Sequence, residues 1–314
     1  MTIPTRRIGV SRAALLFLAT ILSLSGCAAE RGPGFDPVVE DPEFDTAHPP
    51  IIWDGAFQVE GSNLNAIIYE AQGVGPHPTL LLLHGFPGNE KNLDLGQAAR
   101  RAGWNVVFFH YRGAWGSGGT FTFENVVEDV LAVVDAVSEP AFAQAHRIDA
   151  TRLALVGHSM GGFAALVAGA ESESVSCVAS LAGANIGNFA TAAAASAEQR
   201  DQMAALLNSW SGPIRGASGE VLVNEVLENS TRFNTIMRAA DLAPKRLLLV
   251  GGKLDDVTAV TLHHHPLVEA LQAAGAASLE SYVFPEGDHS FSGQRIELAR
   301  RLVDWLEKEC RPAT

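Results

Sequence analysis

The sequence is short of cationic residues, of cysteine and of long apolar runs. Against 35 Asp and Glu it sets only 22 Lys and Arg, a formal charge of −13, which argues against a nucleic-acid partner. The apolar run near its N-terminus, Ala13 to Leu22, is too short for a bilayer-spanning helix. No internal repeat is evident, and the run Ala192 to Ala195 is too brief to count as low complexity. Charged residues make up only 18% of the 314 positions and hydrophobic ones 47%, so disorder is not the default and one large domain with a sizeable core is expected.

What the N-terminus does hold is a leader. Arg6, Arg7 and Arg12 precede the apolar run, and Leu24-Ser25-Gly26-Cys27 follows it, a pattern that predicts a signal peptide over 1–26. Those last four residues resemble the lipobox of bacterial lipoproteins, in which the Cys is lipidated and becomes the first residue. An ordinary secretory cut near Ala28 or Ala29 is the alternative. The resemblance implies a lipid anchor at Cys27 and a place in the bacterial cell envelope. With Ala28 rather than Asp after the Cys, it points to an outer membrane or the periplasmic face. Loss of the leader would take the formal charge from −13 to −16. Residues 27–50, rich in Pro, Gly and acidic side chains without apolar period, read as a flexible tether. Of the remaining cysteines, Cys177 lies in an apolar strand-like run and Cys310 near the C-terminus. They could pair in an oxidising compartment, but the core-like setting of Cys177 favours a buried free thiol.

From Ile51 on, strands alternate with helices. Ala56 to Glu60 and Leu64 to Ala71 flank a hairpin signal at Gly61-Ser62-Asn63. Thr79 to Leu83 and Val106 to His110 are fully apolar runs that read as central strands, with helical spacing over Leu93 to Ala102 and Asn125 to Val137. Cys177 to Leu181, Arg246 to Val250 and Leu279 to Phe284 continue the strands, with helices at Pro266 to Ala274 and Arg295 to Glu309. This alternation predicts a mainly parallel, doubly wound sheet covered on both faces. Residues 187–242, Ala-rich and without a buried strand, interrupt it as a small helical cap insertion, and 310–314 form a C-terminal tail.

The rest is organised around Leu153 to Ala170, LALVGHSMGGFAALVAGA, which reads as strand, sharp elbow and helix. A Ser at the apex of a strained strand-to-helix turn stands above the sheet edge, and only very small neighbours fit beside it. Gly157 and Gly161 supply that room, Gly162 lets the helix pack closely, and Ser159 becomes the candidate nucleophile. A Ser needs a general base, and the base a third group to hold its tautomer. His289 follows the strand Leu279 to Phe284, and Asp255 follows Arg246 to Val250, with adjacent Asp256 as the other possible acid. In a doubly wound sheet these loops open at one edge.

With these residues the chain resembles the α/β-hydrolase fold over 51–309, and the order Ser159, Asp255, His289 matches that family's nucleophile, acid and base. His84-Gly85-Phe86-Pro87-Gly88 resembles the family's oxyanion loop, which implies donors from the main chains of Phe86 and Met160 and a structural role for His84. Tyr111 to Gly119 resembles loops of the prolyl oligopeptidase and dienelactone hydrolase branches. There Arg112 could bind a substrate carboxylate or brace the loop, bracing being favoured, and Trp115 is placed to shape the pocket. Asp129 reads as a solvated or Arg-pairing residue. His263-His264-His265 invites a metal, but consecutive helical residues diverge, so a solvated helix start is expected and no metal. His158 is expected to pack beside the Ser.

The expected protein is a lipid-anchored serine hydrolase acting without cofactor on a small-molecule ester or amide, a carboxylic ester first because an alkoxide leaves more easily than an amine. A peptidase or amidase of prolyl oligopeptidase type is the alternative, although such enzymes carry an N-terminal propeller for which the tether leaves no room. A non-catalytic envelope binding protein is the third reading.

Overall fold

In a computed structural model of the protein, the described residues are 34–209 and 212–311. The expected signal peptide, Cys27 and the first part of the tether lie outside them. Among the described residues eight strands make one sheet: β1 (Ile51–Val59), β2 (Ser62–Glu70), β3 (His77–Leu83), β4 (Asn105–Phe109), β5 (Ile148–His158), β6 (Val175–Leu181), β7 (Arg246–Gly252) and β8 (Ser278–Phe284). Their spatial order is β1-β2-β4-β3-β5-β6-β7-β8. β2 is antiparallel to both β1 and β4, and every other neighbouring pair is parallel. This is the α/β-hydrolase fold.

Strand period decides how the core divides. Leu81, Leu83, Val107, Phe109, Leu155 and Leu249 face one side, where they meet α2 (Phe123–Ser138), α4 (Met160–Glu171) and α9 (His265–Ala273). Their alternates Leu80, Leu82, Val106, Phe108, Val156 and Leu248 face the other, where α1 (Leu93–Arg101) and α10 (Arg295–Trp305) lie. Burial on both faces is why these strands are continuously apolar. The helix α2 starts where the Thr122 hydroxyl accepts from the Asn125 N–H at 3.0 Å, and its Val126, Val130, Val133 and Val137 make one buried stripe. A short α3 (Pro140–Ala145) follows it. Between β6 and β7 come α5 (Ile186–Ala195), α6 (Ala197–Ser209), α7 (Gly219–Glu228), a 3-10 turn and α8 (Ala239–Leu242). Among the described residues no helix is long and apolar enough to cross a membrane.

Two expectations change. The second half of the supposed tether is strapped to the domain: Arg101 donates to the carbonyls of Pro37 (2.6 Å) and Val38 (3.0 Å), Asp36 pairs with Arg300 at 2.7 Å, and Gln72 donates to Glu43 O at 2.7 Å. A segment without apolar period is held here by main-chain carbonyls and a carboxylate, contacts that leave no mark in a hydropathy pattern.

Cys177 and Cys310 are also not free thiols. They form a disulfide with Cα atoms 6.0 Å apart, the ordinary span for such a bond. After α10 a π turn, Leu306–Cys310, carries Cys310 back onto β6, a meeting across 133 residues that sequence spacing could not reveal. Replacing both cysteines by Ser is expected to cost about 3–5 kcal/mol, given so long a closed loop. That is a fall of roughly 10 °C in the melting temperature for a domain of this size, which scanning calorimetry would measure. An unchanged melting point would mean the bond does not form in the protein tested.

Candidate active site

All the chemistry-bearing loops leave the C-terminal ends of the parallel strands. β5 ends at the elbow, where Ser159 is held at φ 57°, ψ −120°, a conformation non-glycine residues rarely occupy. Main-chain hydrogen bonds hold it there: its N–H donates to Leu181 O at 3.0 Å, while its carbonyl accepts from Phe163 and Ala184. A Cβ on Gly157 would fall on the Gly161 carbonyl, and one on Gly161 would fall on the Leu83 carbonyl, so neither position has room for a side chain.

The Ser159 Oγ lies 3.0 Å from His289 Nε2, and His289 Nδ1 lies 2.9 Å from Asp255 Oδ2. It is Asp255 that reaches the imidazole, whereas Asp256 is exposed. Burial would raise the Asp255 pKa. The hydrogen bonds from His289, from the Thr258 hydroxyl and from the Thr258 N–H outweigh it and hold the carboxyl at about 2. Asp255 is therefore ionised, and an ionised acceptor requires the proton on His289 Nδ1, which leaves Nε2 as the acceptor facing Ser159.

Two further residues hold this line in place, Thr258 and His158. Thr258 donates to Asp255 Oδ2 at 2.6 Å and lies 2.9 Å from Ala182 O, which ties the acid's loop to the end of β6. The Asp-x-x-Thr spacing is a local capping signal that could have revealed it, since Asp255 Oδ1 accepts from the N–H groups of Val257 and Thr258, both at 2.8 Å. His158 sets its ring beside those of His289 and Phe291, with centroids 4.9 and 6.5 Å away, and donates from Nε2 to the His289 carbonyl at 2.7 Å. Burial lowers its pKa to about 4, so it stays neutral and acts as a fixed donor. Its partner is 131 residues away, beyond any local signal.

Met160 opens α4 and is buried; as the first helical residue its N–H has no acceptor within the helix. Phe86 lies on the loop after β3, whose Gly85 packs so closely that an added Cβ would stand 3.0 Å from the Ser159 Cβ. The Phe86 ring joins Phe121 and Phe123, with centroids 5.4 and 6.4 Å away. His84 is wholly buried, and its Nδ1 donates to Gly85 O at 2.8 Å.

Arg112 is not available to a substrate. Its Nε donates to Asp129 Oδ1 at 2.5 Å and its Nη2 to Glu128 Oε2 at 2.9 Å, so the bracing alternative holds. Asp129 is fully buried on α2 and also accepts from the Arg112 N–H at 2.7 Å. Burial pushes its pKa up to about 6 even against that pairing. Which groups it would brace against was not legible in sequence, because both carboxylates that claim it sit on another element, α2.

Trp115 is partly exposed. Its indole N–H donates to Pro87 O at 2.7 Å, and its own N–H donates to Pro213 O, which fastens this loop to residues 212–216 of the insertion. An open recess of about 440 Å³ lies between the loop after β3 and the loop after β8, lined by Asn89, Lys91, Asp94, Ser290, Ser292 and Arg295.

The histidine triplet is not a solvated helix start. His263 and His264 are buried, His263 Nδ1 accepting from the Asn185 N–H at 2.9 Å and His264 Nε2 lying 2.9 Å from Ser281 Oγ. His264 lies against Gly251 of β7 as well as Ser281 of β8, so two of the three rings point inward. Their partners lie on different elements, and among the described residues no cluster of His, Cys, Asp or Glu could hold a metal.

The fold, with a serine at the apex of its strand-to-helix elbow, places the chain in the α/β-hydrolase class. A profile of the prolyl oligopeptidase family (Peptidase_S9) matches residues 95–312, and the chain belongs to that family. Its structure is similar to acylaminoacyl peptidase from Pyrococcus horikoshii, with a TM-score of 0.63 and 16% identity over 85% of this chain and 42% of that one. It is similar as well to Est1E from Butyrivibrio proteoclasticus, with a TM-score of 0.63 and 17% identity over 80% of this chain and 96% of that one. A third similar structure is a putative dienelactone hydrolase from Klebsiella pneumoniae, with a TM-score of 0.56 and 17% identity over 82% and 99%. The chain thus spans about two-fifths of the length of the peptidase. No curated protein matches the sequence significantly.

Proposed function

We propose that this protein is a serine esterase working through Ser159, His289 and Asp255. As Ser159 Oγ attacks an ester carbonyl, His289 Nε2 takes its proton and Asp255 stabilises the imidazolium. The N–H groups of Met160 and Phe86 receive the oxyanion. His289 then protonates the departing alkoxide, and in the second half it activates the water that hydrolyses the acyl-enzyme. The observation that carries this reading is the line Asp255, His289, Ser159, with 2.9 and 3.0 Å separations and an acid kept ionised by its surroundings.

An ester is the substrate class proposed first because its alkoxide leaves more readily than an amine. Est1E, solved with ferulic acid bound, is a neighbour matched over nearly its whole length. Membership of a family named for an oligopeptidase favours a second reading, amide or peptide cleavage.

The test is labelling by a fluorophosphonate probe, with paired p-nitrophenyl esters and p-nitroanilides as substrates. Labelling and ester turnover that both disappear in Ser159→Ala support the proposal. Faster anilide than ester hydrolysis would move it to the peptidase reading. A folded wild type that takes no label would leave a binding protein.

The sequence Leu24-Ser25-Gly26-Cys27 supports a further part of this reading, a lipid anchor at Cys27 in a bacterial envelope. Cys27→Ser is expected to shift the protein from the detergent to the aqueous phase on partitioning. No shift would count against the anchor.

A further inference from the structure

Behind the loop after β3 stands a second imidazole with no part in the triad. His110, at the end of β4, is 3.2 Å from His84 Nε2 through its Nδ1, while His84 Nδ1 is 2.8 Å from Gly85 O. A carbonyl only accepts, so the His84 proton is on Nδ1. His84 Nε2 is then a lone pair, and the hydrogen between the two rings belongs to His110 Nδ1. His84 must be neutral for this order to hold. Burial lowers the pKa of His84 to about 3 and of His110 to about 4, with Lys91 the nearby cation adding to both effects.

The consequence falls on one peptide plane. In a trans peptide the C=O and N–H point in opposite directions. Holding the Gly85 carbonyl against the His84 ring therefore turns the Phe86 N–H away from that ring. The support is rigid: the His110 N–H donates to Asn65 O at 2.9 Å, its carbonyl accepts from Ser117 Oγ at 2.8 Å, and its ring is stacked on Trp115 at 5.7 Å. Trp115 and Tyr111 hold the neighbouring carbonyls of Pro87 and His84 at 2.7 and 3.0 Å.

We propose that His110 is a positioning residue for the oxyanion hole: its Nδ1–H sets the tautomer in which His84 holds the Gly85 carbonyl, and so sets the direction of the Phe86 N–H. This rests on the reading of Phe86 as an oxyanion donor.

Two replacements separate the donor from the ring. His110→Phe keeps a ring over Trp115 and removes the N–H; His110→Asn removes the ring and keeps an N–H donor near the position of Nδ1. Loss of a whole oxyanion donor costs about 10²–10³-fold in kcat, and a misaimed one should cost less. His110→Phe is thus expected to lower kcat on a p-nitrophenyl ester by about 10–100-fold with KM within about threefold, and to weaken a boronic acid inhibitor in parallel. His110→Asn is expected to recover most of that loss. A His110→Phe enzyme with wild-type kcat, in a protein that Ser159→Ala inactivates, would overturn the inference and leave the proposed function standing. If the wild type shows no turnover that depends on Ser159, the proposed function fails instead. Nitrogen-15 NMR of the wild-type imidazoles then decides the inference without any variant. His84 and His110 each protonated at Nδ1 alone is the expected result, and a His84 protonated at Nε2 overturns it.

Discussion

Replacing Ser159 or His289 by Ala is expected to lower kcat by about 10⁵–10⁶-fold, with the double replacement no slower than either alone. In the proposed mechanism the two act as a unit, since Oγ is a nucleophile only while a base 3.0 Å away can take its proton, and that base has nothing to receive once Oγ is gone. A residual acceleration of about 10³–10⁴-fold over water is expected from the oxyanion donors and substrate binding alone. Single-turnover kinetics on an activated ester measure both quantities. A double replacement much slower than the singles would mean that Ser159 and His289 act in separate steps.

Asp255→Asn carries the second large effect, a loss of about 10⁴-fold in kcat with the fold intact. The direction follows from how the carboxylate is used. Oδ1 accepts from the N–H groups of Val257 and Thr258, so in the variant the amide oxygen keeps that place and Nδ2 takes the position of Oδ2 facing His289. A donor there moves the imidazole proton to Nε2, where it faces Ser159 and blocks proton abstraction. Asp256→Asn, on an exposed side chain, should stay within about twofold of wild type. Equal losses in the two variants would mean that the loop rather than the carboxylate matters.

The scaffold that carries these effects was legible because its signals are local. The apolar run of β3, the Val stripe of α2 and the small residues of the elbow each encode their own strand, helix or turn. Loops at the ends of parallel strands share one edge, so chain order alone assembled Ser159, Asp255 and His289 as a constellation. Arg112 shows the limit of that reasoning. In sequence it is a cation on a Gly-rich loop, while in space the buried Asp129 claims both its guanidinium and its main-chain N–H. His263 and His264 show the same limit, since they are buried against Asn185 and Ser281, groups on other elements.

By itself, then, the sequence determined the fold class, the elbow and the candidate nucleophile and base, Ser159 and His289, because hydrophobic period and backbone sterics act within a few residues. Tertiary structure alone decided that Asp255 rather than Asp256 meets His289, that Cys177 and Cys310 are joined, that residues 35–50 are strapped down, and that His158 holds the base's carbonyl. Each of those is a contact between groups far apart along the chain. Hydrogen bonds and disulfides form at distances of a few ångströms, and only the packed fold sets those distances.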